Sequence, residues 1–166
     1  MSSSFQAPQL NQEAANYVPR LPPEVWTEVF RRLDIESLFN VAEAAPECEC
    51  FAFSPTVVKR VTFDQETDER IITKFVRTTR EELGQHSRTE NVPISSHARE
   101  LHFTDCIALT SETILGCAQN CCNLREMYCV NCVVEPAELF VLLSRTLKCV
   151  RKLEWTMYSV TTTTPG

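Results

Sequence analysis

Three stretches of this chain superpose on one another without a gap, and nothing else in the sequence limits the fold as much. They are Ala98-Arg-Glu-Leu101-His-Phe103-Thr-Asp-Cys106, Leu124-Arg-Glu-Met127-Tyr-Cys129-Val-Asn-Cys132 and Val150-Arg-Lys-Leu153-Glu-Trp155-Thr-Met-Tyr158, beginning at 98, 124 and 150, hence 26 residues apart. In each, apolar and polar residues alternate over the length of a strand, which places Leu101 and Phe103, Met127 and Cys129, and Leu153 and Trp155 on one side. Ala108, Val134 and Val160 follow at a further shared apolar position. Between the strands, Ile114, Leu115 and Ala118 align with Phe140, Val141 and Ser144 at helical spacing, and Pro136 suits a first helical turn. A strand–helix unit this short cannot bury its own apolar face, whereas stacked copies build a continuous core. The expected architecture is α/β, with each strand beside its copy.

A weaker copy, Val58-Lys-Arg-Val61-Thr-Phe63, precedes these, with Val61 and Leu101 separated by 40 residues. The longer interval holds an expected helix (Ile71, Ile72, Phe75, Val76, Leu83) and a polar loop over 84–91. Residues 61–160 thus read as an irregular first repeat followed by three regular ones.

Equivalent residues on paired strands stand about 4.8 Å apart and form columns. His102, Tyr128 and Glu154 occupy one outward slot, on the face where stacked-repeat proteins hold their partners. Tyr128 is the strongest anchor of that column, since aromatic side chains dominate binding hot spots. His102 adds a pH dependence expected near the ordinary imidazole value of about 6.5. Arg99, Arg125 and Arg151 form a second column, beside Glu100, Glu126 and Lys152.

Before the repeats the character changes. Residues 1–20 are too poor in apolar side chains to offset their ordering entropy and read as a flexible leader. From Leu21-Pro22-Pro23 onward, Val25, Trp26, Val29, Phe30 and Leu33 fall on a broad helical stripe. Asp34 can cap a second helix from about Ile35 to Ala45, with Leu38, Val41 and Ala42 at helical spacing and Pro46 as its stop. A third short segment around 48–57 carries Phe51, Phe53 and Val57 and is interrupted by Ser54-Pro55.

The stretch Leu21–Ala42 resembles an F-box in Leu21, Pro22, Glu24 and Val25, in Val29-Phe30 and Leu33-Asp34, and in Leu38, Val41 and Ala42. Ser54-Pro55 with Val57-Val58 is similar to the closing segment of that family, while Cys48 and Val58 stand near positions where it usually has aromatic residues. The 26-residue pattern resembles a leucine-rich repeat, with Cys106 and Cys132 at its asparagine-or-cysteine position. The chain is therefore similar to F-box/leucine-rich-repeat proteins: a three-helix F-box over 21–60, three to four repeats over 61–160, and a tail at 161–166.

The resemblance implies a non-catalytic substrate-recognition subunit of a cullin–RING ubiquitin ligase. Leu21, Pro22, Val25, Val29, Phe30, Leu33, Leu38 and Val41 would dock on a Skp-type adaptor, and through it on a cullin. Some of these eight must instead hold the small helical core, a division the sequence leaves open. The repeats would bind a target protein through His102, Tyr128 and Glu154. The alternative is a leucine-rich-repeat binding module whose degenerate F-box joins no ligase. The absence of a helical pattern after the third regular strand reads as a fragment or a short form lacking later repeats.

Other function classes recede on composition. A net charge of −6 disfavours nucleic acid, whose phosphates need clustered Lys and Arg. Three glycines leave no phosphate-cradling loop, and no apolar run reaches the ~20 residues that span a bilayer. No membrane partner and no cofactor are implied, and with no signal-peptide pattern the expected location is cytoplasmic, nuclear or both. Nine cysteines, an odd count, argue against a disulfide framework. Cys129-x-x-Cys132, with Cys117, Cys121 and Cys122 upstream, has the look of zinc ligands. The repeat register gives the simpler reading, in which they are small packing residues and hold no metal. His86, His97 and His102 have no nucleophile or orienting carboxylate in a recognisable arrangement, so no enzyme is expected.

Overall fold

The computed structural model describes residues 20–79, 92–145 and 149–157. The expected leader up to residue 19, Leu83, His86 and the 84–91 loop, Tyr158, Val160 and the 161–166 tail lie outside them.

The chain opens with α1 (Pro23–Phe30), entered through Pro22, whose carbonyl accepts from the Val25 N–H at 3.0 Å. Pro23 fits the first helical position because the N–H it lacks would have no intrahelical partner there. Asp34 caps α2 (Ile35–Ala44), its carboxylate accepting from the Ser37 N–H at 2.7 Å and the Ser37 hydroxyl at 3.0 Å. Pro46 starts a single 3-10 turn that leads into the short α3 (Glu49–Ala52). These helices close around Phe30, Ile35, Leu38, Phe39 and Phe53, with Phe39 and Phe53 ring centroids 5.0 Å apart.

Four strands follow: β1 (Arg60–Phe63), β2 (Glu100–Thr104), β3 (Glu126–Cys132) and β4 (Lys152–Met157). They form one parallel sheet in chain order, β1-β2-β3-β4. Pairing sets Val61 beside Leu101, 40 residues on, and then Leu101 beside Met127 and Met127 beside Leu153, so the spacing of 26 in the sequence is the register among β2, β3 and β4. Parallel strands need crossovers of a dozen or more residues. Here α4 (Glu69–Arg77), α5 (Ser111–Asn120) and α6 (Pro136–Arg145) supply them. Asp68 and Thr110 cap α4 and α5 with their side-chain oxygens.

The inward sheet residues and the helices share one core with the N-terminal helices. Phe63 stacks on Phe103 at 4.8 Å and meets Phe75 of α4 edge-on at 5.9 Å, which locks the irregular first unit onto the regular ones. Lys74 of α4 lies 4.5 Å from the Phe39 ring centroid and joins the sheet half to α2.

Three expectations change. Phe30 and Leu38, expected among the docking residues, are buried and hold the helical core. Phe140 and Val141 do not face inward: α6 buries Leu139 and Leu142, while Phe140 is 71% exposed. A one-residue slip accounts for Val141, which it sets at the position of Gly116, whereas Phe140 falls at that of the buried Leu115 and is exposed on α6, beside which no further helix is described. Ala108 is exposed and Leu109 takes the buried position matching Val134, so α5 and α6 start at 111 and 136, 25 apart, although their strands keep 26. Leu153 is also 37% exposed despite its inward register.

Phe103→Ala should destabilise the protein by about 3–5 kcal/mol, because it opens a cavity against Phe63. Phe140→Ala should change stability by no more than about 0.5 kcal/mol. Urea melts of both variants check the two together; comparable losses would refute the α6 register.

Candidate functional site

Two surfaces collect the candidate residues. The first is the outward face of the sheet, where alternation exposes Glu100, His102 and Thr104 of β2, Glu126, Tyr128 and Val130 of β3, and Lys152, Glu154 and Thr156 of β4. Strand pairing sets His102 beside Tyr128 and Tyr128 beside Glu154, with Thr62 of β1 completing the row. The two rings stack, centroids 4.2 Å apart and planes 11° from parallel.

Charged groups brace the stack. The Tyr128 hydroxyl donates to Glu126 Oε2 at 2.6 Å, and Lys152 Nζ lies 4.8 Å from the Tyr128 centroid. On the other side Arg60 Nε donates to Glu100 Oε2 at 2.6 Å, and His102 Nε2 stands 3.7 Å from the same oxygen. Burial penalises the Glu100 charge, but the Arg60 hydrogen bond and charge, helped by His102 and Lys59, outweigh it and hold the carboxyl below its usual range. His102 is held below its ordinary value by burial first and by the Arg60 cation second, against the pull of Glu100 and Glu126. The pH dependence expected near 6.5 is therefore displaced downward.

A backbone irregularity at the end of β2 and within the end of β3 repeats as well. Asp105 and Asn131, again 26 apart, both have left-handed backbone, φ 56° and 54°. Aspartate and asparagine tolerate this region better than most residues. Asn131 Nδ2 donates to Asp105 Oδ1 at 3.0 Å and ties one to the next. The thiols that follow turn inward: Cys106 Sγ donates to the Asp64 carbonyl at 3.3 Å and Cys132 Sγ to the Phe103 carbonyl at 3.4 Å. Cys129 is fully buried, and burial pushes its thiol up to about 12. Cys117 and Cys121 are buried in and just after α5, whereas Cys122 is exposed. Among the described residues no three of Cys, His, Asp and Glu converge as a metal-ligand group. Paired left-handed residues were not anticipated; the only trace in the sequence is an Asp or Asn before each repeat cysteine.

The second surface is α1. Of the eight residues given a docking role, Leu21, Val25 and Val29 are 39%, 42% and 44% exposed, and Pro22 is exposed too. Leu33 and Val41 are half-buried against the core. Val25, Val29 and Leu33, with the aliphatic stems of Glu24, Glu28 and Arg32, line a shallow, mainly apolar groove of about 550 Å³. Glu28 sits between Arg31 and Arg32 at 3.5 and 3.1 Å on its rim.

No protein-family model matches this sequence, and no curated protein matches it. No helix among the described residues is long and apolar enough to cross a membrane.

A depressed His102 value has a definite sign. Between its native value and about 6.5 the unfolded chain binds the proton and the native one does not, so the His102 contribution to stability is complete above that window. It falls as pH drops through the window and levels off below the native value. An NMR titration of the His102 ring should give a midpoint below 6.5; a midpoint above it would mean that Glu100 and Glu126, rather than burial and Arg60, set the ring's charge.

Proposed function

We propose that this chain is a non-catalytic substrate-recognition subunit of an SCF-type cullin–RING ubiquitin ligase: an F-box docking on a Skp-type adaptor, followed by leucine-rich repeats that hold the target. Ubiquitin transfer would be carried out by a conjugating enzyme brought alongside, and this subunit would contribute proximity, raising the effective concentration of target lysines.

The observation that carries the reading is the two-sidedness of α1. Its Phe30 is buried and stacks on Trp26 at 5.3 Å, while Leu21, Val25 and Val29 present apolar side chains to solvent beside the groove that Leu33 edges. Contiguous apolar surface on a soluble protein marks an interaction site more often than scattered single residues do. Docking thus falls to Leu21, Pro22, Val25, Val29 and the rim of Leu33, with Phe30, Leu38 and Val41 supporting them from behind. Cys48 and Val58, near the usual aromatic positions of the family, are 2% and 0% exposed. Those departures change how the core is filled and leave the exposed face as it is.

The repeat half supports the target-binding part. A parallel sheet in chain order, with a register of 26 among β2, β3 and β4 and a helix after each of the first three strands, is the local geometry that leucine-rich repeats need. Its outward row of His102, Tyr128 and Glu154 is continuous and available without disturbing the core.

Val25→Asp combined with Val29→Asp should lower affinity for a purified Skp-type adaptor at least tenfold, about 1.4 kcal/mol or more, with an unchanged circular dichroism spectrum. Val133→Asp, exposed on the other half, should bind as wild type does. Equal binding by the double variant would remove α1 from the interface. No adaptor binding by the wild-type chain would leave the binding module without a ligase.

A further inference from the structure

Four cations stand in a row where the strands begin. The Arg99 N–H donates to the Lys59 carbonyl at 2.8 Å, the Arg125 N–H to the Arg99 carbonyl at 2.8 Å, and the Arg151 N–H to the Arg125 carbonyl at 2.7 Å. This backbone ladder fixes Lys59, Arg99, Arg125 and Arg151 side by side at the inter-strand spacing of about 4.8 Å. All four are exposed, and among the described residues none forms an ion pair. The carboxylates next to them in sequence are committed elsewhere, Glu100 to Arg60 and Glu126 to the Tyr128 hydroxyl, each at 2.6 Å.

At its Lys59–Arg99 end the row opens on a polar pocket of about 370 Å³, lined also by Thr56, Ser96, His97 and Asn123. The Asn123 amide donates to the Ser96 carbonyl at 2.7 Å, which holds the pocket wall in place. Like charges at this spacing repel, and although Glu100 feels the Lys59 charge, no carboxylate among the described residues pairs directly with any of the four. An anionic ligand would relieve that repulsion.

We propose that the row of Lys59, Arg99, Arg125 and Arg151 binds a short acidic peptide segment of the partner protein, one of whose anionic groups sits in the pocket between Lys59 and Arg99. The three intervals span roughly 14 Å, the length of about four extended residues. Guanidinium groups suit either source of negative charge, carboxylate or phosphate, because their planar fork donates two parallel hydrogen bonds to both. A nucleic acid fits less well, since four cations on an acidic protein offer few phosphate contacts. The inference rests on the sheet half being the target-binding half, and it names the chemistry of the segment bound there.

The test uses the full chain and three fluorescein-labelled probes read by anisotropy: a glutamate-rich decapeptide, its counterpart with two phosphoserines, and a single-stranded oligonucleotide of equal charge. At least one peptide should bind, weaken as salt rises from low to physiological strength, and lose at least tenfold in affinity in Arg99→Glu/Arg125→Glu. Whichever peptide binds more tightly identifies the anion. Arg70→Glu, exposed on α4, should leave binding unchanged, and so should Val25→Asp/Val29→Asp, which separates this proposal from adaptor docking. No binding of either peptide, binding indifferent to the Arg99/Arg125 reversal in a protein with wild-type circular dichroism, or tighter binding of the oligonucleotide would overturn it.

Discussion

The parallel backbone ladder is the interaction on which the rest depends. Arg99 and Glu100 both donate to the Lys59 carbonyl, Arg125 and Glu126 to that of Arg99, and Arg151 and Lys152 to that of Arg125. Once those amides share a carbonyl, the strand residues that follow are in register with their copies as far as Thr104, Val130 and Thr156, beyond which the β3–β4 pairing shifts by one. A slip of one position would turn Leu101, Phe103, Met127 and Cys129 outward and bring His102 and Tyr128 into the core. Both candidate binding features of the sheet, the His102–Tyr128 stack and the basic row, are consequences of this alignment.

The far ends of the strands are held by different means. Left-handed residues Asp105, just after β2, and Asn131, within the end of β3, kink the backbone beside Cys106 and Cys132, whose thiols donate to carbonyls of the preceding unit. Both positions are buried, and a thiol combines small volume with a weak donor. Two of the nine cysteines, Cys106 and Cys132, thus follow from packing at one repeated position.

Much of this was legible in the sequence because the repeat spacing and the strand register are the same quantity. The alternation around Leu101, Met127 and Leu153 gave strand positions and their inward side, and Asp34 and Pro46 marked the limits of α2. The helix phase was not legible. Ala108 and Val134 align in sequence, but the buried partner of Val134 is Leu109, and that slip carries through to Leu139 and Leu142. An ungapped alignment cannot reveal it, since Phe140 and Val141 are as apolar as the residues that replace them inside. The docking set was legible only as a stripe. Which of its members face water depended on how α1 and α2 each pack against α3, and that buried Phe30 and Leu38 while leaving Val25 and Val29 outside.

The His102 environment shows the same limit. Sequence placed the ring on the outward face, but its proton affinity depends on Arg60 and Glu100, 40 residues apart and joined across two strands. The central claim, that the 26-residue repeat is a hydrogen-bonded strand register, is open to direct observation. Scalar couplings through hydrogen bonds, recorded by NMR on isotopically labelled protein, report which amide bonds which carbonyl. The Arg125 amide should couple to the Arg99 carbonyl, and the Arg151 amide to that of Arg125. Couplings displaced by one residue, or an antiparallel pattern between these segments, would contradict the register and the binding surfaces derived from it.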